Sequence, residues 1–351
     1  MQEEELLQFE IVDIVEENHL AKTYQLKLLN KAALHFKPGQ FLTFIIYINK
    51  QEYRRSYSIL TLPDEPLKVT IKKVDNGIIS RHILANWKKG ETVYSLSPAG
   101  RFFVEPQKQV SRDIFCFAAG SGIVPIYPQL RVLLKEEPQS IIHLVYSNHT
   151  ENDSLFLKDL EYMGETLPHF NLIKLFSEPE EQLKNRGRLS NISAEILINK
   201  KLIFKKKDAV FLLCGPFSFM RMLGFTIGLM GFEKSNIRRE NFAPEIMRSG
   251  NVARHYYPDT EVTILTGKGT IVIPVKSGEN VLDATLKAGY TLPYSCKGGA
   301  CGNCAAKCLS GSIYMSINEV LSDTDLLEGW VLTCTGYPQR ENTVLDFRDS
   351  V

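Results

Sequence analysis

The chain has 351 residues, 44% of them hydrophobic, and its 41 Lys and Arg nearly balance its 40 Asp and Glu. That is enough apolar material for two or three domains, and it leaves no general electrostatic reason to bind nucleic acid. The acidic start, MQEEELLQFE, is unlike a basic signal peptide and no run of about 18 apolar residues is present to span a bilayer, so a soluble cytoplasmic protein is expected.

From about residue 6 to 105, short alternating or β-branched runs such as YQLKL, QFLTFIIYI and LKVTIKKV are separated by turn signals such as KPGQ, LPDEP and DNG, which predicts an antiparallel barrel. From about 112 to 242 the pattern becomes apolar strand, glycine turn and amphipathic helix, the signature of a parallel α/β sheet. A polar connector, APEIMRSGNVARHYYPD, follows, and EVTILTGKGTIVIPV reads as a hairpin turning at Gly267-Lys268-Gly269. The expected division is 1–108, 109–243, a linker at 244–259, and 260–351.

The last of these segments carries the strongest signal. YSCKGGACGNCAAKC places Cys296, Cys301, Cys304 and Cys308 close together, and Cys334 follows in WVLTCTGYP. The spacing C-x4-C-x2-C with a distant fourth cysteine is the one plant-type ferredoxins use for a 2Fe-2S cluster. Gly298, Gly299 and Gly302 give the loop freedom to wrap a cluster and aim amides at its sulfurs. Structural zinc normally uses two short-spaced pairs, and the second pair is missing here. This spacing predicts Cys296, Cys301, Cys304 and Cys334 as the iron ligands. Cys308 is left over at the start of a strand, where packing explains it.

Residues from about 262 to 351 resemble a plant-type ferredoxin of the β-grasp fold, and the residues before them resemble the ferredoxin-NADP reductase superfamily. The order flavin domain, nicotinamide domain, ferredoxin domain is similar to that of the phenylacetyl-CoA epoxidase and phthalate dioxygenase reductases. In RRSYSIL, Arg55, Tyr57 and Ser58 match the family's Arg-x-Tyr-Ser. Residues two apart on a strand share a face, so Arg55 and Tyr57 can project toward one ligand. The resemblance implies that Tyr57 stacks on the isoalloxazine, that Ser58 hydrogen-bonds near N5, and that Arg55 pairs with the cofactor phosphate. In VDNGIISRHILANW, Gly77 opens a turn and Ser80 is the expected N-cap of a helix whose positive end suits a pyrophosphate. FAD is expected, with FMN the alternative known for the same domain order.

In FAAGSGIVPIYPQL, Gly120 and Gly122 end a strand and open a helix, allowing backbone to approach a dinucleotide. Cys214, Gly215 and Pro216 match the family's Cys-Gly-Pro near the nicotinamide, and Glu240 in RRENF resembles the acidic residue that closes the domain near the flavin. Many relatives carry Asn-Arg where this chain has Asn148-His149. That favours NADH over NADPH, with Arg186 or Arg188 as possible replacements for a 2'-phosphate partner.

A hydride carries two electrons and a 2Fe-2S cluster takes one, so a flavin is needed between them. The chain therefore reads as an NAD(P)H-dependent reductase that passes electrons through FAD and a 2Fe-2S cluster to an external redox protein. The resemblance implies a phenylacetyl-CoA epoxidase-like oxygenase component. A desaturase, another hydroxylase, a hybrid-cluster protein, or a non-catalytic redox-sensing role are the alternatives. Residues 261 to 351 hold seven Lys or Arg against ten Asp or Glu, a net charge of −3, and the group Glu319, Asp323, Asp325 and Glu328 is expected to be a solvated face that steers a basic acceptor.

Overall fold

The protein is described by a computed structural model covering residues 6–31, 33–74, 77–179, 186–242, 257–321 and 323–348. The first sheet comprises β1 (Leu7–Asn18), β2 (Ala21–Leu28), β3 (Phe41–Ile48), β4 (Gln51–Ser58), β5 (Leu67–Lys72) and β6 (Thr92–Ser95). All pairings are antiparallel, in the order β4-β3-β6-β1-β2-β5, and an antiparallel bridge from Ile59 to Val69 joins the two ends. The expected barrel is thus present. Its β3–β4 hairpin turns at Asn49 and Lys50 with φ of 51° and 66°, the left-handed geometry whose twist suits a tight hairpin. Phe9, Tyr24, Phe44 and Ile71 fill the interior, and Trp87, at the end of α1 (Ile78–Asn86), packs edge-on against Tyr24 and Phe44 at 5.4 and 5.2 Å.

The second sheet is wholly parallel, in the order β11 (Ile237–Glu240), β10 (Val210–Cys214), β7 (Asp113–Ala119), β8 (Ile141–Asn148), β9 (Phe170–Phe176). Its strands β7, β8 and β10 are buried almost end to end, as strands sandwiched between helices must be. The helices are α2 (Ile123–Glu136), α3 (Leu157–Thr166), α4 (Asn191–Lys201) and α5 (Phe217–Leu229). The chain runs outward from β7 through β8 to β9, then returns to β10 on the other side. The reversal opens a crevice at the carboxyl ends of β7 and β10, where open α/β sheets bind ligands.

The third sheet is mixed, in the order β13 (Gly269–Val275), β12 (Thr260–Thr266), β18 (Thr343–Asp346), β14 (Ala305–Ser310), β16 (Trp330–Leu332). Among its described strands only β12 and β18 run parallel. Helix α6 (Val281–Lys287) buries Val281, Leu282 and Ala284 against Val262, Ile264, Leu332 and Leu345, and Asn280 caps it by accepting the Asp283 N–H at 2.8 Å. A small pair, β15 (Ile313–Met315) with β17 (Gly336–Pro338), and the short helix α7 (Asp323–Leu327) complete the unit. This is the expected β-grasp arrangement.

Two local expectations need correction. The β12–β13 turn is Gly267–Lys268 alone, because Gly269 already pairs with Thr266. Helix α1 begins at Ile78 with Gly77 as its N-cap, so Ser80 lies inside the first turn. There its hydroxyl reaches back to accept the Val74 N–H at 3.0 Å, which ties the helix to the end of the barrel and leaves nothing for a cap at residue 80. Most of the expected linker, residues 244–256, lies outside the described residues.

Candidate functional site

Three clusters of predicted residues lie along one route through the molecule. On β4, Tyr57 is partly buried beside Phe44, with ring centroids 6.2 Å apart, and burial pushes its phenol well above its ordinary pKa. Arg55 precedes it by two, its Nη1 bonded to the Arg54 carbonyl at 2.8 Å. Ser58 is buried and its Oγ has no partner among the described residues. A buried hydroxyl left without a hydrogen bond is costly, and a polar flavin edge would satisfy it, so these residues fit the cofactor.

The dinucleotide motifs converge at the crevice. Gly120–Gly122 forms a single 3-10 turn between β7 and α2, and Cys214-Gly215-Pro216 links β10 to α5, with Pro216 as the N-cap. The strands lie side by side, Cys214 opposite Ala118, so two helix amino ends open at one place. Gly122 is required by contact: a Cβ there would lie 2.1 Å from the Cys214 carbonyl oxygen. Glu240 on β11 is in register with Cys214. It is buried, its Oε2 has no partner among the described residues, and burial raises its pKa to about 8. Burial, with Glu240 adding to it, also holds the Cys214 thiol neutral. An orphaned acid at the mouth of the crevice fits a site completed by a ligand.

Lys72 is a candidate site residue that the sequence pattern does not reveal. It ends β5 in the barrel, yet its Nζ would lie 3.6 Å from a Cβ on Gly120 in the second unit, and burial lowers its pKa. The LKVTIKKV stretch shows only a strand with lysines; the approach to Gly120 is purely tertiary. At the far end of the crevice, His149 Nδ1 and Ser177 Oγ are 3.0 Å apart, and Arg186 bridges to Phe176 beside them.

The third cluster is the cysteine loop. Cys296, Cys304 and Cys334 are buried and Cys301 is partly so. Their thiols contact in the sequence Cys301, Cys296, Cys334, Cys304. Hydrogen bonds from Cys301 and Cys334 draw the Cys296 thiol far down, while their bonds to Cys296 hold Cys301 and Cys334 high. Four thiols so placed cannot all ionise without a cation among them. Backbone N–H groups of Gly298 and Ala300 point at Cys296, that of Gly298 at 3.4 Å, and Asn303 N–H at Cys301. Gly299 takes φ of +72° and a Cβ there would meet the Ile317 carbonyl at 2.6 Å, so the loop needs glycine. Cys308 stands apart on β14, its Sγ 3.3 Å from the Ser310 carbonyl.

The acidic group expected to face an acceptor is partly used inside the molecule. Asp325 is paired with Arg101 of the barrel at 2.7 Å.

Comparison with known proteins agrees with this division. Residues 8–104 match the oxidoreductase FAD-binding domain, 117–224 the oxidoreductase NAD-binding domain, and 264–339 the 2Fe-2S iron-sulfur cluster binding domain. The chain is 31% identical over 325 residues to one of the subunits of 1,2-phenylacetyl-CoA epoxidase from Escherichia coli, covering 90% of this chain and 89% of that protein. It is 28% identical to the ferredoxin reductase component of 3-ketosteroid-9-alpha-monooxygenase from Rhodococcus rhodochrous, over 89% of this chain and 88% of that one. The solved structure of phthalate dioxygenase reductase shares the fold at a TM-score of 0.59 and 20% identity, covering 97% of this chain and 98% of that one. Two longer solved chains, one an intact self-sufficient cytochrome monooxygenase, match 97% of this chain at TM-scores of 0.74 and 0.68, and this chain spans 41% and 42% of their length. With three modules in one order and a relative of this identity along nearly its whole length, the chain belongs to the flavin-dependent, ferredoxin-reductase-type oxidoreductases that carry a carboxyl-terminal 2Fe-2S domain, the family that includes this component of the Escherichia coli 1,2-phenylacetyl-CoA epoxidase.

Proposed function

We propose that this protein is the cytoplasmic reductase component of an oxygenase system, taking reducing equivalents from NAD(P)H and delivering them to a separate oxygenase protein. The observation that carries this reading is the serial placement of the sites: the dinucleotide crevice opens beside the barrel, and the cysteine loop contacts the opposite side of the flavin strand through Ser56 and Ser295. When bound, FAD accepts a hydride as an electron pair and releases electrons singly, as a 2Fe-2S centre requires.

The chain's own residues bind and orient. Arg55 would pair with the flavin phosphate, Tyr57 would offer an aromatic face to the ring, and the Ser58 hydroxyl would hydrogen-bond its polar edge. Gly77 and the amino end of α1, which Ser80 fixes to Val74, would receive the pyrophosphate. Gly120, Gly122, Gly215 and Pro216 would leave room for the dinucleotide, and Cys214, whose thiol is kept neutral by burial, would border the nicotinamide. Glu240, held mostly protonated at neutral pH by its burial, would place no full charge beside Cys214 at the crevice. Cys296, Cys301, Cys304 and Cys334 would ligate the irons.

NADH is the expected donor, because Asn148-His149 lacks the arginine of an Asn-Arg pair, although Arg186 lies beside Phe176 at the end of the crevice. A phenylacetyl-CoA epoxidase-like oxygenase is the first candidate acceptor, by likeness to the Escherichia coli protein. The test is reconstitution: purified holoprotein, NADH and the oxygenase component of such a system should give product in step with NADH oxidation. NADH oxidation with no electrons reaching any oxygenase would contradict the acceptor class.

A further inference from the structure

We propose that Arg54, Ser56 and Arg101 are positioning residues that clamp the cluster loop to the barrel and so fix the separation between flavin and cluster. The proposal rests on the functional reading above and adds the device that holds its two redox sites together.

Alternation along β4 puts Arg55 and Tyr57 on one face and Arg54 and Ser56 on the other. The second face meets the cysteine loop. Ser56 Oγ is 3.0 Å from Ser295 Oγ and 2.9 Å from Thr43 Oγ1, so the contact is braced by β3. Ser56 precedes Tyr57 and Ser295 precedes Cys296, so one hydrogen bond joins the neighbours of the flavin-facing aromatic and the first cysteine. Beside it the Arg54 guanidinium lies 4.2 Å from the centre of the Tyr294 ring, and its Nε is held by Glu52 at 2.8 Å.

A second anchor holds the segment between Cys304 and Cys334. Arg101, just beyond β6, pairs with Asp325 of α7 at 2.7 Å and lies 4.0 Å over the ring of Trp330. Trp330 begins β16, which pairs with β14; Cys304 directly precedes β14 and Cys334 lies two residues beyond β16. The Arg101 and Asp325 side chains are 29% and 15% exposed, so the pair is less screened than a surface pair and its arginine is held flat by the indole. Two polar, directional contacts, one at Ser295 and one at Asp325 and Trp330, fix an orientation, which a single apolar patch would not do. Because electron transfer slows steeply with distance, loosening either anchor should slow the passage to the cluster while sparing hydride uptake at the crevice.

The test compares wild-type holoprotein with Arg101→Ala and Arg101→Lys. On anaerobic mixing with NADH, the flavin-bleaching phase should be unchanged in both. The cluster phase should slow several-fold in Arg101→Ala and should recover in large part in Arg101→Lys. Small-angle scattering of the same samples should show a larger radius of gyration for Arg101→Ala alone. A cluster phase of wild-type speed in Arg101→Ala overturns the clamp, as does a slow phase accompanied by loss of iron with no change in scattering. If NADH and NADPH fail to reduce even the wild type, the functional reading fails, while the scattering comparison still decides whether Arg101 docks the domain.

Discussion

Gly122 lies so close to Cys214 that a Cβ added to it would meet the Cys214 carbonyl oxygen at 2.1 Å. The two segments are far apart in sequence, and this contact is what makes them one crevice. Backbone cannot yield as a flexible side chain would. Gly122→Ala should therefore cost roughly 1–3 kcal/mol by overpacking and spread β7 from β10. Urea unfolding should show the lower midpoint, and rapid mixing should show slower flavin reduction at a fixed NADH concentration.

Glu240 predicts a pH dependence with a definite sign. Its folded pKa, about 8, is above the ordinary 4.5, so the native state holds a proton that the unfolded chain releases. Its contribution to stability is fully present below pH 4.5 and is lost as pH rises toward 8, at up to about 1.4 kcal/mol per pH unit. Glu240→Gln removes this dependence. Denaturant midpoints of the wild type and variant should diverge between pH 5 and 8, with the variant the more stable at the alkaline end; parallel curves would refute the buried, neutral acid.

The cysteine assignment separates near from far in sequence. Cys308→Ser should leave iron content and the visible spectrum nearly intact, because Cys308 is bonded to the Ser310 carbonyl on β14. Cys334→Ser should lose most of the iron while retaining flavin, because Cys334 contacts both Cys296 and Cys304. Iron analysis and flavin absorbance on the same preparations check both.

A chain ending at Pro258 should keep flavin and reduce ferricyanide with NADH, but should no longer reduce cytochrome c or the native acceptor. Steady-state assays with the three acceptors decide it. Retained turnover of the native acceptor would show that electrons leave by another exit.

Much of this was legible in the sequence because it is local. The β-branched runs of the barrel, the strand-glycine-helix punctuation at Gly120 and Gly215, and the cysteine spacing each lie within a few dozen residues. Ser80 lies three residues inside the helix it is expected to cap, because serine bonds backward to Val74 as readily as it caps forward. The tertiary relations had no local signal. Lys72 approaches Gly120 from another unit, Ser56 meets Ser295 across 239 residues, and Asp325, which reads as part of a solvated acidic face, is paired with Arg101.

The central claim is that electrons enter at the crevice, cross the flavin and leave through the cluster. Anaerobic rapid mixing of oxidised holoprotein with NADH, followed at flavin and cluster wavelengths and by electron paramagnetic resonance of freeze-quenched samples, tests it most directly. The account predicts loss of flavin absorbance first, then appearance of the reduced 2Fe-2S signal. Cluster reduction that precedes or bypasses the flavin, or a reduced flavin beside a cluster that stays oxidised, would contradict it.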